Sequence, residues 1–175
     1  ALEAYDEEAA NAVLDRALSG FSLDIFTGAV VLPAMAAIGD RWARGEVSVA
    51  QEHFATYVVR GRLLALARGW GSGLGPLALL ACPPGELHDI GLIAFGLSLR
   101  NRGWRVVYLG PDTPLDTLAE AVRRLHPVLA VMSVAAAEPL ASAGPGLSEV
   151  AAAVPVWVGG AGASEEGARR AGVQF

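Results

Sequence analysis

The second half of the chain alternates short apolar runs with amphipathic segments, and this alternation limits the possible folds more than any other feature. The runs have the length of buried strands, and segments with helical spacing of apolar residues separate them. The strand-like runs are 77–82, 105–109, 128–133, 154–158 and 173–175, and the helix-like segments are 90–100, 115–125, 147–153 and 164–170. Five strands alternating with helices predict a parallel, doubly wound sheet.

The first half of the chain has helical spacing of apolar residues and no strand pattern. Ser22 and Ser48 are expected helix N-caps, and Gln51 completes a capping box with Ser48. Pro33 interrupts one long apolar segment, which predicts a kink or two helices that join near Gly28. We expect a bundle of about four helices.

A glycine-rich stretch at 71–76 is the clearest break in composition along the chain. Such a stretch is typical of a linker between domains. The sequence therefore predicts a helical domain at 1–70 and a sheet domain at 77–175.

Composition and charge exclude several classes of function. The formal net charge of -5 and the isoelectric point near 5.1 argue against nucleic-acid binding by this chain, which would need a basic face. No uninterrupted apolar run approaches the roughly 20 residues of a membrane span, and the acidic first residues do not resemble a secretory signal. The one cysteine, Cys82, cannot form an internal disulfide and is expected in the core. We expect a cytoplasmic protein.

Glu86, His88 and Gly91 follow the first predicted strand and open the next helix. The carboxyl edge of a parallel sheet is where such folds bind ligands. A metal-bound imidazole usually donates its second N–H to a carboxylate, so Glu86 is a candidate orienter for His88. Gly91 would let a large flat ligand approach the helix backbone. A single histidine here would more often be a helix cap or a surface residue, since short motifs are only hypotheses.

The spacing Glu86-x-His88-x-x-Gly91 resembles the D/E-x-H-x-x-G signature of cobalamin-binding Rossmann-like (flavodoxin-like) domains. The resemblance implies that His88 is the lower axial ligand of cobalt, in place of the dimethylbenzimidazole of the cofactor. It further implies that the displaced nucleotide tail enters the sheet. Other implied cofactor-binding residues are Asp89, Ile90, Ser133, Gly159 and Gly160. The family has S-x-L where this chain has Ser133 and Ala135.

Trp42 is followed after nine residues by Glu52 and His53, across one helix end and the start of the next helix. Taken alone, these are most simply a core tryptophan and a surface charge pair. Together with the His88 loop, the pattern is similar to the cap of CarH-type light sensors, the cobalamin domains of MerR-family regulators. The resemblance implies that Trp42 shields the upper face of adenosylcobalamin, and that the Glu-His pair contacts the adenosyl group.

Two departures from that family concern the output and the upper pocket. The chain shows no helix-turn-helix segment, so we expect no direct DNA binding by this chain. Ala43 stands where the family commonly has a histidine that captures cobalt after photolysis. A subgroup called photocobilins, which this chain resembles, pairs cobalamin with a bilin. Because alanine is smaller than histidine, the upper pocket gains volume, which suggests biliverdin as a second chromophore. Its propionates could pair with local arginines, although an ordinary solvated helix face would also explain these residues. The arginines are Arg41, Arg44, Arg60, Arg62 and Arg68.

Three functions compete at this point. The leading hypothesis is a sensory, non-catalytic adenosylcobalamin domain whose photolysis changes assembly, in a homo-oligomer such as a dimer or tetramer. The enzymatic alternative is a corrinoid methyl carrier of a cobalamin-dependent methyltransferase. A third possibility is a flavodoxin-like interaction module without cofactor, in which His88 is merely exposed. His126, in a loop at the opposite end of the sheet, is assigned no function.

Overall fold

A computed structural model describes residues 1–175, except for the side chain of Pro145. Contacts between Cα atoms divide the chain into two compact units, Ala1–Arg68 and Gly69–Phe175. We call them the helical unit and the sheet unit.

The helical unit consists of three long helical stretches and one short turn. Its elements are a 3-10 turn at Leu2–Ala4, α1 at Glu7–Gly20, α2 at Leu23–Ile25, a π-helical segment at Phe26–Val31, α3 at Leu32–Ala43 and α4 at Val49–Leu66. Because α2, the π-helical segment and α3 follow one another without a break, they form a single rod. The predicted bundle of four helices is therefore not confirmed in the residues that the structure describes.

The predicted irregularity lies just before Pro33, in a π-helical segment that contains Gly28, while the helical stretch continues through it. The N–H of Leu32 donates to the carbonyl of Thr27, five residues back, so the backbone widens just before the proline. Pro33 has no N–H to donate, and the wider segment accommodates it inside the rod. The Thr27 hydroxyl also donates to the Leu23 carbonyl at 2.9 Å. The irregularity thus absorbs the proline without ending the rod.

Both predicted serine caps are confirmed. The Ser22 hydroxyl accepts from the N–H of Ile25 at 3.4 Å. Ser48 accepts from the N–H of Gln51 at 3.2 Å, and the Gln51 side chain accepts from the Ser48 N–H at 2.9 Å, which completes the capping box. These bonds satisfy N–H groups that the first turn of a helix leaves unpaired.

The rod Leu23–Ala43 is 21 residues long and its apolar window has a mean hydropathy of 1.5, so by length and composition alone it could span a membrane. The sequence analysis found no such run because charged residues interrupt it. In the structure 22% of that window is buried, which is less than in a core helix. Here Ile38 on the rod packs with Val47 and Ala55.

The sheet unit alternates strands and helices as predicted. Its elements are β1 at Leu77–Ala81, α5 at Ile90–Asn101, β2 at Arg105–Gly110, α6 at Leu115–Leu125, β3 at Leu129–Ser133, α7 at Ala137–Ala153, β4 at Val156–Gly159 and α8 at Glu165–Ala171. The strand order is β2-β1-β3-β4, and all three pairings are parallel. Every residue of β1 is buried, as expected for a central strand covered on both faces.

The predicted fifth strand at 173–175 is not confirmed. Gln174 forms only an isolated parallel bridge with Trp157 of β4, so the described sheet has four strands. The N–H of Val158 donates to the Gln174 carbonyl at 2.8 Å, which places this segment beside β4. Gly172, with φ +70, ends α8 before this segment.

Helix α7 begins ten residues before the predicted start at 147, at Ala137. Pro139 lies in the first turn of α7, where its missing N–H is tolerated. A Cβ on Gly146 would lie 2.5 Å from Cδ1 and 3.2 Å from Cβ of Leu115 on α6, so the two helices pack closely at this glycine. The glycines and prolines of α7 interrupt its apolar spacing, so the pattern predicted only the last part of the helix.

Candidate functional site

The loop between β1 and α5 lies at the position where parallel sheets of this kind bind ligands. β1 pairs with β2 on one side and with β3 on the other, so the chain reverses its winding direction beside β1. Such a switch point opens a crevice at the carboxyl ends of the strands. The loop that follows Ala81 and precedes Ile90 therefore presents its side chains at the expected ligand edge.

Glu86 and His88 form a close pair on this loop. Glu86 Oε1 lies 2.7 Å from His88 Nδ1 and also accepts from the His88 backbone N–H at 2.8 Å. The carboxylate makes Nδ1 the protonated nitrogen of the neutral imidazole, so the lone pair is on Nε2. The His88 side chain is 75% exposed, whereas that of Glu86 is 2% exposed. The pair thus presents one oriented nitrogen lone pair, held in place by a buried carboxylate.

The Glu86 carboxylate is also anchored to the sheet beyond its own loop. Its second oxygen, Oε2, accepts from the backbone N–H of Ala135, just past β3, at 2.6 Å. Burial alone would raise the pKa of the Glu86 carboxyl, but the N–H groups of His88 and Ala135 and the His88 ring stabilise the carboxylate, and the net effect lowers that pKa. An ionised Glu86 is therefore the stable form in the fold.

A second set of hydrogen bonds fixes the backbone of the same loop. The Asp112 carboxylate accepts from the N–H of Gly85 at 2.8 Å, and the N–H of Asp112 donates to the Glu86 carbonyl at 2.9 Å. The N–H of Thr113 donates to the Cys82 carbonyl at 2.9 Å. The loop after β2 thereby holds the loop after β1. Sequence analysis missed Asp112 because its partners lie on a neighbouring strand end.

Asp89, which follows His88, is buried and accepts a hydrogen bond from the Tyr108 hydroxyl on β2. Tyr108 packs edge-on against Trp70, with ring centroids 5.9 Å apart. The N–H of Ile93 donates to the Asp89 carbonyl at 2.9 Å and starts α5. Asp89 thus has a structural position beneath the loop, and Tyr108 is a further residue that the sequence did not single out.

The remaining predicted residues of the sheet unit meet at the same edge. Ser133 ends β3 in register with Gly159 of β4. A Cβ on Gly91 would lie 3.9 Å from Ser133 Oγ, and one on Gly160 would lie 3.1 Å from it. Gly160 has φ +108, and its Cβ would meet the Val134 carbonyl oxygen at 2.3 Å, so only glycine fits there. The structure therefore brings Gly91, Ser133 and Gly160 together, with Ile90 at the first position of α5.

The predicted residues of the helical unit are less tightly held. Trp42, in the last turn of α3, is 49% exposed. His53 Nε2 lies 3.8 Å from Glu52 Oε2, and the His53 side chain is 73% exposed. The Thr56 hydroxyl donates to Glu52 Oε1 at 2.8 Å. The structure brings Glu52 and His53 together, but Trp42 makes no hydrogen bond or ring contact with either in the described residues.

Two of the five arginines considered for an anionic ligand, Arg41 and Arg44, are engaged within the helical unit. Arg41 pairs with Glu3, and its Nε lies 3.3 Å from Glu46. Arg44 Nε lies 2.7 Å from the other oxygen of Glu46. Hydrogen bonds from these carboxylates raise the pKa of both arginines. A ligand carboxylate would have to compete with Glu3 or Glu46.

Cys82 supports the loop from below, where its thiol donates to the His88 carbonyl with a sulfur–oxygen distance of 3.8 Å. Cys82 is fully buried one residue after β1, and burial, with the nearby Asp89 and Glu86 charges, raises the pKa of its thiol to about 12. A thiol with that pKa is not a nucleophile at neutral pH. His126 ends α6 with φ +48, at the end of the sheet opposite to His88.

Two curated relatives match across both units. The chain is 35% identical over 167 residues to the HTH-type transcriptional repressor CarH of Myxococcus xanthus, covering 93% of this chain and 56% of that protein. It is 35% identical over 157 residues to the HTH-type transcriptional repressor CarA of the same organism, covering 87% of this chain and 53% of CarA. The chain thus spans about half the length of these relatives.

Solved structures share the fold at lower identity. The monomethylamine corrinoid protein of Methanosarcina barkeri superposes with a TM-score of 0.79 at 18% identity, over 99% of this chain and 86% of that one. A cobalamin-binding protein from Desulfitobacterium hafniense DCB-2 gives a TM-score of 0.53 at 24% identity, again over 99% and 86%. These likenesses concern the architecture alone.

The family comparison covers nearly the whole chain. Residues 1–67 match one B12 binding domain description, and residues 76–175 match a second. The second match contains Glu86, His88 and the glycines at the sheet edge. The chain therefore belongs to the B12 binding domain family and is a cobalamin-binding protein.

Proposed function

We propose that this chain is the sensory domain of a light-responsive transcriptional regulator that uses adenosylcobalamin. The observation that carries the proposal is the buried Glu86 carboxylate, which orients the exposed His88 ring. Support for regulation comes from the 35% identity to two transcriptional repressors across both units. The monomethylamine corrinoid protein, by contrast, shares the fold at 18% identity.

The residues of the sheet unit fit the cofactor. His88 offers a single nitrogen, which would suit a cobalt ion that already takes four nitrogens from a corrin ring. Gly91 leaves the start of α5 open for a flat ligand, and Ser133 Oγ lies beside it. We assign His88 Nε2 as the lower cobalt ligand and Glu86 as its orienter. The edge around it contributes the remaining contacts through Asp89, Ile90, Gly91, Ser133, Gly159 and Gly160.

The helical unit is assigned the upper ligand of the cofactor. Bound adenosylcobalamin supplies a cobalt–carbon bond that light can break. In our proposal the exposed Trp42 ring packs on the adenosyl group, while Glu52 and His53 contact its polar atoms. Loss of that group removes the partner of all three side chains. We propose that the resulting change in the helical unit alters assembly of a cytoplasmic homo-oligomer.

One experiment separates this function from its alternatives. Protein loaded with adenosylcobalamin in the dark is measured by absorbance and size-exclusion chromatography before and after green light. We expect a spectral change accompanied by a change in oligomer size. A corrinoid methyl carrier would favour methylcobalamin and keep its size, and a cofactor-free module would retain no chromophore. Either result would contradict the proposal.

Ala43 defines a finer proposal about the upper pocket. A methyl side chain cannot coordinate cobalt, so we propose that the illuminated protein takes water or another exogenous ligand there. We also propose that the space accepts biliverdin. Biliverdin added to cobalamin-loaded protein should give a bound, red-shifted band, and Ala43→His should suppress it. If no band forms, or if the band is indifferent to Ala43→His, the bilin proposal fails and cobalamin sensing stands.

A further inference from the structure

Asp112 has a backbone conformation that ordinary residues avoid. It follows β2 with φ +50, and it is one of three non-glycine residues in the left-handed region among those that the structure describes. Aspartate tolerates this conformation better than most residues, yet it remains less favourable there than glycine. Because a non-glycine residue is unfavourable at such a position, the contacts of its side chain are of interest.

The carboxylate of Asp112 works on the loop that carries His88. It accepts from the Gly85 N–H at 2.8 Å, and the left-handed turn aims the Asp112 N–H at the Glu86 carbonyl, 2.9 Å away. Gly85 has φ +81, a conformation that glycine adopts without strain but that it has no side chain to hold in place. These two hydrogen bonds fix the peptide group before Gly85 and the peptide group after Glu86.

Contacts then run from Asp112 to the imidazole through one residue. Asp112 fixes the backbone of Glu86, and the Glu86 carboxylate, held from its other side by the Ala135 N–H at 2.6 Å, fixes His88 Nδ1 at 2.7 Å. We propose that Asp112 is a positioning residue that preorganises the His88 loop, so that the His88 ring can coordinate cobalt. This inference rests on the proposed role of His88.

Preorganisation predicts an effect on binding as well as on the unloaded protein. A loop that is already ordered loses less conformational freedom when it binds a ligand, so removing the hydrogen bond between Asp112 and Gly85 should weaken cobalamin binding. Changes in the groups that orient a metal-ligating histidine typically cost about 10–100-fold in metal affinity. Asp112 acts one step further out, so we expect about a tenfold loss.

The variants separate the effect of the Asp112 hydrogen bond from the effect of backbone strain at Asp112. Asp112→Gly removes the carboxylate and relieves the strain at φ +50, so a loss reflects the missing hydrogen bond and the backbone freedom that glycine adds, and not strain. Asp112→Asn keeps an oxygen acceptor and tolerates the left-handed region, so it should restore parental behaviour. Asp116→Gly makes the matched change at another exposed aspartate, whose carboxylate accepts only from neighbouring Thr117 in the described residues.

The first measurement is amide hydrogen exchange at Gly85 and His88 in the unloaded protein, and the second is affinity for cobalamin with the spectrum of the bound cofactor. We expect Asp112→Gly to exchange about tenfold faster at both amides and to bind about tenfold more weakly, with a larger base-on fraction. Asp112→Asn and Asp116→Gly should match the parent.

Two outcomes would overturn the inference. Unchanged affinity and spectrum in Asp112→Gly would show that the bond is only structural, and an Asp112→Asn variant as weak as Asp112→Gly would show that the acceptor oxygen is not the cause. His88→Ala is measured in parallel. If it leaves the spectrum unchanged, the proposed ligand fails; if it alone alters the spectrum, only the role of Asp112 fails.

Discussion

The candidate residues of the two units differ in how firmly the protein holds them. In the sheet unit, Glu86 is buried and accepts three hydrogen bonds, so contacts within the protein define the position of the His88 ring. In the helical unit, Trp42 and His53 are exposed, and the Glu52–His53 contact spans 3.8 Å. The contrast suggests that the sheet unit retains the cofactor, whereas the helical unit responds to what the cofactor carries.

The largest expected effect comes from the glycine pair at the sheet edge. Gly160→Ala would put a Cβ 2.3 Å from the Val134 carbonyl oxygen at φ +108, whereas a Cβ on Gly159 meets nothing within 4 Å. We expect Gly160→Ala to lower the free energy of unfolding of the protein by about 3 kcal/mol. Gly159→Ala is the matched control and should change it by far less. Urea denaturation measures both, and equal effects would contradict the packing argument.

Removal of the Glu86 carboxylate should be the next largest change. Glu86→Ala leaves the N–H groups of His88 and Ala135 without their acceptor, which we expect to cost about 2 kcal/mol of stability. Cobalamin affinity should fall about 10–100-fold, because His88 loses its orienter. Calorimetry of binding and denaturant unfolding check these values. Parental affinity in a folded Glu86→Ala protein would show that the sheet site is not preorganised by this residue.

Trp42→Ala should change selectivity more than total affinity. The corrin is assigned to the sheet unit, so only contacts with the adenosyl group are lost, and aromatic packing of that kind contributes about 1 kcal/mol. The preference for adenosylcobalamin over methylcobalamin should therefore fall about fivefold. Competition binding measures it, with the exposed Trp157→Ala as a control on the sheet unit. An undiminished preference would remove Trp42 from the upper face.

The smallest expected effect is on acid stability. Because the fold lowers the pKa of the Glu86 carboxyl below its ordinary value of 4.5, this group stabilises the protein above that value, and the contribution is lost as pH falls through the folded pKa. Unfolding of the cofactor-free parent should thus be more pH-dependent below about pH 4.5 than unfolding of Glu86→Gln. Parallel pH profiles for the two proteins would contradict a lowered pKa.

The sequence predicted the parallel sheet, the helical first half and the His88 loop because each leaves a local pattern. The partners of the loop were not predictable in the same way. Asp112 and the Ala135 N–H reach Glu86 from other strand ends, and no spacing rule connects them. The start of α7 was missed for a related reason, since Gly146 serves contact with α6 and not a turn. Tertiary packing decides such positions.

The central claim is that His88 ligates cobalt, and one spectrum tests it most directly. Protein labelled with 15N only in its histidines is loaded with unlabelled cobalamin, reduced to the cobalt(II) form and measured by electron paramagnetic resonance. Coupling to one axial nitrogen splits each cobalt line, into a triplet for 14N and a doublet for 15N. We predict doublets in the labelled protein and their disappearance in His88→Ala, whereas His126→Ala should retain them. Triplets in the labelled parent protein would show that dimethylbenzimidazole stays on cobalt and that His88 is not the ligand.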